Sequence, residues 1–192
     1  MKKTYSFTLV LSGFDKLTEQ VEDALYGKKC DDALLSIRSG VPYLDFDREA
    51  PSFQEAVLSA LRDVERALPY VSVLRVEPDD LVTASEIGRR VNRTRESVRL
   101  LVRGARGPGG FPPPASSLTQ KSPIWRWVEV VNWFVAQNMV AAEVAKAART
   151  VAAINAALEL RRHDEFKDAL KELAYTRRGA PTRAASEERA DG

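Results

Sequence analysis

One cysteine and one histidine are all that the chain offers for thiol or imidazole chemistry. A lone Cys30 excludes an internal disulfide and fits a reducing compartment. Cys30 and His163 stand far apart with no second ligand of either kind, which excludes the usual zinc spacings and argues against a Cys–His nucleophile. No metal, no cofactor and no enzymatic activity are therefore expected. Apolar runs are also short, none approaching the ~18 residues of a membrane span. The opening residues, Met1, Lys2, Lys3, Thr4 and Tyr5, lead into a strand pattern rather than the apolar block of a secretory signal. A cytoplasmic protein with no membrane contact is expected.

What is present is an ordinary globular composition, 44% hydrophobic and 29% charged, long enough for one or two domains. The net charge of +2 is unevenly spread. Residues 1–78 carry 10 basic against 13 acidic side chains, residues 79–135 carry 9 against 5, and residues 136–192 carry 10 against 9. The basic excess thus falls in the middle of the chain, where it suits a polyanionic partner.

Residues 1–78 alternate between strand and helix patterns. Tyr5, Phe7, Leu9 and Leu11 share one face of a strand over residues 4–12. Leu17, Val21, Ala24 and Leu25 mark one face of a helix that Thr18 can cap and Gly27 can stop. Strands over 33–38 and 41–46 meet at Ser39 and Gly40 as in a hairpin. Ser52 and Glu55 form a capping box before a helix burying Phe53, Ala56, Val57, Ala60, Leu61 and Val64. A β-rich run over 71–76 ends at Pro78. This βαββαβ order predicts an α+β, ferredoxin-like domain. That fold also carries RNA-recognition domains, but the third strand offers Pro42, Tyr43, Asp45 and Asp47 in a net acidic domain, which argues against RNA. Asp31, Asp32, Asp45, Asp47 and Glu49 could suggest a metal or acid/base site; with no nucleophile or histidine beside them, solubilising hairpin ends are the better reading. A dimerisation or protein-partner role is expected for this domain.

Residues 81–134 hold the strongest functional pattern. Thr83 and Glu86 make a capping box, with Val82 and Ile87 placed as a hydrophobic staple. A short helix burying Ala84, Ile87 and Val91 follows, and Asn92 suits a left-handed stop. Thr94 then caps a second helix over about 95–103. At ~100° per residue, Val98, Leu101, Val102 and Ala105 share one side, while Arg95, Arg99, Arg103 and Arg106 fall within roughly 80° of arc on another. Such an arginine stripe suits phosphates and the O6/N7 edge of guanine. Thr94 and the first N–H groups of the second helix are placed for a phosphate, and Arg95, Ser97 and Arg99 for base edges. Arg93, Arg103 and Arg106 complete the basic set.

This stretch resembles the winged helix-turn-helix of the excisionase and MerR-type DNA-binding proteins, especially short prophage-type regulators. The resemblance lies in Ala84, Ser85, Glu86 and Ile87, in residues 94–99, in Phe111 with Pro112, Pro113 and Pro114, and in Trp125, Arg126, Trp127, Val130 and Trp133. It implies a β-hairpin wing after the second helix, with Lys121 and Arg126 as wing contacts and Trp125 or Trp127 as its anchor. The glycine- and proline-rich run 107–114 excludes helix and central strand. A flexible linker fits that composition, while Phe111 and the later tryptophans argue for an arm packed on the core.

From residue 136 an alanine-rich stretch predicts a long helix as far as about 176. Val140, Val144, Ala147, Val151, Ile154 and Leu158 form an a/d seam, read here as a dimerisation surface, with packing on its own domain as the alternative. Asp164 can cap a further helix burying Phe166, Leu170 and Leu173, and residues 177–192 are expected to be a disordered tail. The combined expectation is a homodimeric, sequence-specific regulator of duplex DNA, acting as an autorepressor. An antitoxin or phage-defence regulator holding a protein partner through residues 1–78, and an excisionase-like DNA-bending protein, are the alternatives.

Overall fold

The structure, a computed structural model, describes residues 2–116, 123–166, 168, 169 and 171. The fold is mixed α+β, with six α-helices among the described residues. The alternation at the start of the chain becomes strand β1 (Lys3–Ser12), and Thr18 caps helix α1 (Glu19–Tyr26) by accepting from the Val21 N–H at 3.4 Å. Because the cap lies at Thr18, Leu17 precedes the helix and is 46% exposed, contrary to the buried face expected for it. Strands β2 (Ala33–Arg38) and β3 (Val41–Ala50) are joined by Ser39 and Gly40, both with positive φ (52° and 78°), as a two-residue hairpin requires. Ser52 caps α2 (Phe53–Ala67), and β4 (Ser72–Glu77) completes the sheet.

The strands lie in the order β2-β3-β1-β4, every pair antiparallel. Phe7, Leu9 and Leu11 of β1, with Leu44 and Phe46 of β3, share one core with Val21 and Leu25 of α1 and the buried side of α2. β3 runs four residues beyond the expected Phe46, since Asp47 and Glu49 pair with Ser6 and Thr4 of β1 while Arg48 and Ala50 turn inward. Arg48 is buried, donating to Asp32 at 2.8 and 2.9 Å, to Asp63 at 2.8 Å and to the Lys29 carbonyl at 2.6 Å. Burial works against its charge, but the two carboxylates outweigh it and push its pKa up.

A second core follows. Strand β5 (Leu81–Thr83) pairs antiparallel with β6 (Ile124–Arg126), and between them in sequence lie α3 (Ala84–Arg90) and α4 (Arg95–Val102). Helix α5 (Trp127–Ala136) follows β6. Val82, Ile87, Val98, Leu101, Trp125, Trp127, Val130, Val131 and Phe134 form this core. The sequence shows no local cap for α5, and the structure supplies one from far away. Asp80 accepts from the Val128 N–H at 2.9 Å through its carboxylate and from the Trp127 N–H at 2.6 Å through its carbonyl.

The long helix α6 (Ala142–Arg162) serves both cores: Ala145 and Ala148 enter the second, and Val151, Ile154 and Leu158 enter the first. Its Asn155 side chain acts as a further strand residue against β4, accepting from the Val76 N–H at 2.7 Å and donating to the Val76 carbonyl at 3.0 Å. This corrects the reading of the a/d seam as a free dimer surface. Val151, Ile154 and Leu158 are buried within the chain, Val140 packs on the second core, Ala147 is half-buried and Val144 is the exposed member. The edge of β4 and the side of the core beside it need cover, and the seam provides it.

By contacts the chain forms two units, Met1–Glu159 and Leu160–Gly192, the first taking in both expected domains and most of α6. In the second, α6 ends at Arg162, a 3₁₀ turn spans Asp164–Phe166 where the further helix was expected to start, Phe166 is exposed rather than buried, and residues 168, 169 and 171 are helical. Leu170, Leu173 and the tail 177–192 lie outside the described residues. Among the described residues no helix is long and apolar enough to cross a membrane.

Candidate nucleic-acid interface

The helix–turn–helix is built from two threonine caps and one glycine. Thr83 accepts from the Glu86 N–H at 3.2 Å to start α3, and Thr94 accepts from the Ser97 N–H at 3.1 Å to start α4. The capping box at Thr83 is only half made, because the Glu86 carboxylate turns to Arg89 at 2.7 Å and Arg90 at 2.9 Å. Burial tends to raise the pKa of Glu86, but hydrogen bonds from both arginines prevail and lower it. Asn92 takes a positive φ of 53°, and the Arg93 N–H donates to the Gly88 carbonyl at 2.7 Å. A Cβ on Gly88 would stand 2.5 Å from the Arg93 carbonyl oxygen, so only glycine lets the turn close this tightly. The sequence reading overlooked Gly88, although a glycine inside a helix pattern four residues before Asn92 was a usable signal.

Val98 and Leu101 bury one side of α4, which leaves Arg95, Arg99 and Arg103 exposed together on another. These three line a groove of about 510 Å³ whose other walls are the start of α3 (Thr83, Ala84 and Ser85) and Trp125. Among the described residues no carboxylate lines it. Arg99 has an exposed ion pair with Glu96 at 3.1 Å, whereas Arg95 and Arg103 have no ion-pair partner among the described residues. The groove is therefore an anion-attracting surface of the scale of α4 itself, ~12 Å long at 1.5 Å per residue.

The remaining candidates are placed differently. Arg106 lies past Gly104 (φ 66°), where the chain has left the helix, and does not line the groove. Arg93 sits in the turn over the Phe134 ring, 5.9 Å from its centroid, with Nη2 3.4 Å from Met139 Sδ. Arg126 donates to Asp80 at 3.0 Å from an exposed position on β6. Lys121 lies outside the described residues.

The glycine- and proline-rich segment is fastened to the second core. Phe111 makes edge contacts with Trp125, Trp133 and Phe134 at centroid distances of 6.3, 5.1 and 6.2 Å. Trp133 Nε1 donates to the Gly109 carbonyl at 3.0 Å, and Trp125 Nε1 to that of Pro112 at 3.1 Å. The chain meets itself again where the Ala115 N–H donates to the Ile124 carbonyl at 2.8 Å.

The acidic side chains of the first core are dispersed among other partners. Asp32 holds Arg48, Asp45 accepts from Thr8 and Arg38, and Asp47 accepts from Ser6. Among the described residues no three His, Cys, Asp or Glu side chains are grouped to hold a metal. Cys30 is buried, which drives its thiol pKa up to about 11 against the pull of Arg48. No known family, curated protein or solved structure matches the chain.

Proposed function

We propose that this protein is a sequence-specific regulator that binds duplex DNA through α4, without catalysis. The observation that carries the reading is the groove in which Arg95, Arg99 and Arg103 stand together on a capped helix–turn–helix. Phosphate neutralisation supplies most of the affinity and makes it salt-dependent, while an Arg–guanine bidentate pair adds ~1–3 kcal/mol of discrimination. Residues 79–135 fit a winged helix-turn-helix in which β5 and β6 form the small sheet. Residues 1–78 fit a ferredoxin-like domain, whose strand order is the one seen here. The operator-bound form is a homodimer, because one module reads few base pairs. Autorepression in the cytoplasm is the biological form of this reading.

The test is selection of a binding site from random duplexes, followed by anisotropy titration of the selected and a scrambled duplex at several salt concentrations. Arg95→Ala, Arg99→Ala and Arg103→Ala should each weaken binding about tenfold, and Arg99→Ala should also relax the preference at one base position. Arg62→Ala, on the exposed Glu55 ion pair of α2, should change neither. If Arg99→Ala left affinity and base preference intact, α4 would not be the reading element.

A further inference from the structure

The four-stranded sheet treats its two edges unequally. At β4 the Asn155 amide occupies both the N–H and the carbonyl of Val76. At β2 no strand pairs on the outer side among the described residues. The two-residue hairpin makes Arg38 and Val41 a closing hydrogen-bonded pair, and the Asp47 N–H to Asp32 carbonyl bond keeps the same phase at the far end. Alternation then directs the N–H and carbonyl groups of Leu35 and Ile37 away from β3, into the open. Natural sheets usually blunt such an edge with charge or proline, and β2 has one charged residue, Arg38, at its end.

Beside this edge lies a slot of about 330 Å³ floored by Leu25, Leu35 and Leu44. Tyr26 and Leu34 at its mouth are 74% and 69% exposed. Its rim carries Glu22, Asp23 and Asp31, all exposed; among the described residues none of the three is ion-paired and no lysine or arginine lines the slot. An apolar slot, an acidic rim and a free strand edge coincide.

We propose that the β2 edge takes an extended, basic segment of a partner protein as a fifth strand, with one apolar side chain seated in the slot. Backbone hydrogen bonds to Leu35 and Ile37 supply register, and lysine or arginine flanking the anchor meets Glu22, Asp23 and Asp31. A second copy of this chain fits poorly, because antiparallel pairing about a twofold sets the two α1 helices, with their acidic side chains, next to each other. The inference is independent of the DNA-binding reading, since it uses no residue of the groove.

The probe is a blocked seven-residue peptide alternating valine and lysine, titrated into the full-length ¹⁵N-labelled protein, with a valine–glutamate peptide as control. The lysine peptide should bind, shift the β2 amides and slow hydrogen exchange at Leu35 and Ile37, while the glutamate peptide should not bind. Asp23→Lys with Asp31→Lys should weaken binding about tenfold and reduce its salt dependence. Ile37→Pro should abolish binding without loss of the β3 ladder, because the N–H it removes points outward. Should Ile37→Pro fail to fold, the charge-reversed variant decides alone. The proposal is overturned if the lysine peptide does not bind, if both peptides bind equally, or if the shifts map elsewhere. It is overturned equally by a concentration-dependent dimer that the β2 variants dissolve, since the edge would then belong to a second copy.

Discussion

Replacing Asn155 by alanine removes the two hydrogen bonds that close the outer edge of β4. Val76 is fully buried, so its N–H and carbonyl are left without partners. Each orphaned group costs ~1–3 kcal/mol, less where water can reach the edge, for a total of about 2–4 kcal/mol. Against a typical stability of ~5–15 kcal/mol this is a large loss. Urea denaturation followed by far-ultraviolet circular dichroism measures it. Tryptophan fluorescence supplies a second probe, since Trp125 and Trp127 are buried in the second core and Trp133 packs against it. Both transitions should move to lower urea in Asn155→Ala. Asn155→Asp keeps the acceptor for Val76 N–H but sets a carboxylate against the Val76 carbonyl and Asp79. That carboxyl should hold its proton above the ordinary ~3.9, so the deficit of this variant relative to the parent should be smallest in acid and grow as pH rises through the raised pKa. A loss below about 0.5 kcal/mol in Asn155→Ala, the range of an ordinary surface substitution, would refute the argument that the amide holds this edge.

Gly88→Ala should destabilise the helix–turn–helix by at least ~1–3 kcal/mol, because the added Cβ meets backbone rather than a movable side chain. A fall in melting temperature is the expected result, and on the proposed DNA-binding reading weaker binding of duplex DNA accompanies it. Arg48→Met takes the buried guanidinium from Asp32 and Asp63 and leaves Asp63 only the looser Arg66 pair at 3.9 Å; with both carboxylates partly exposed, the loss is ~3 kcal/mol by chemical denaturation, the low end for a broken buried pair. Adding Asp32→Asn and Asp63→Asn to that variant should recover part of it. Glu86 has a lowered folded pKa, so its contribution is present above the unfolded value of ~4.3 and lost as pH falls through the folded one. The melting-temperature gap between the parent and Glu86→Gln should accordingly be constant near neutrality and close in acid.

The amino-acid sequence alone determined the local events. Thr18, Ser52, Thr83 and Thr94 each cap the helix expected of them, because the bond joins atoms three residues apart and little else can compete. The turn at Ser39 and Gly40, the limits of β2, the left-handed Asn92 and the burial of Val98 and Leu101 on α4 were legible for the same reason, whereas Val102 and Ala105 of the expected apolar side are exposed. Tertiary structure decided whatever needed a distant partner. Asp80 caps α5 across 48 residues, and no local pattern announces that. Arg48 is buried in the part of β3 beyond the expected end at Phe46, because Asp32 and Asp63 converge on it only once the sheet and α2 are assembled. The arginine stripe was visible on a helical wheel, but the walls that make it a groove come from β6 and the start of α3. The seam of α6 shows the limit most plainly. A heptad pattern states that one stripe of a helix is buried, and not against what. Here the open edge of β4 and the cores beside it claimed most of that stripe.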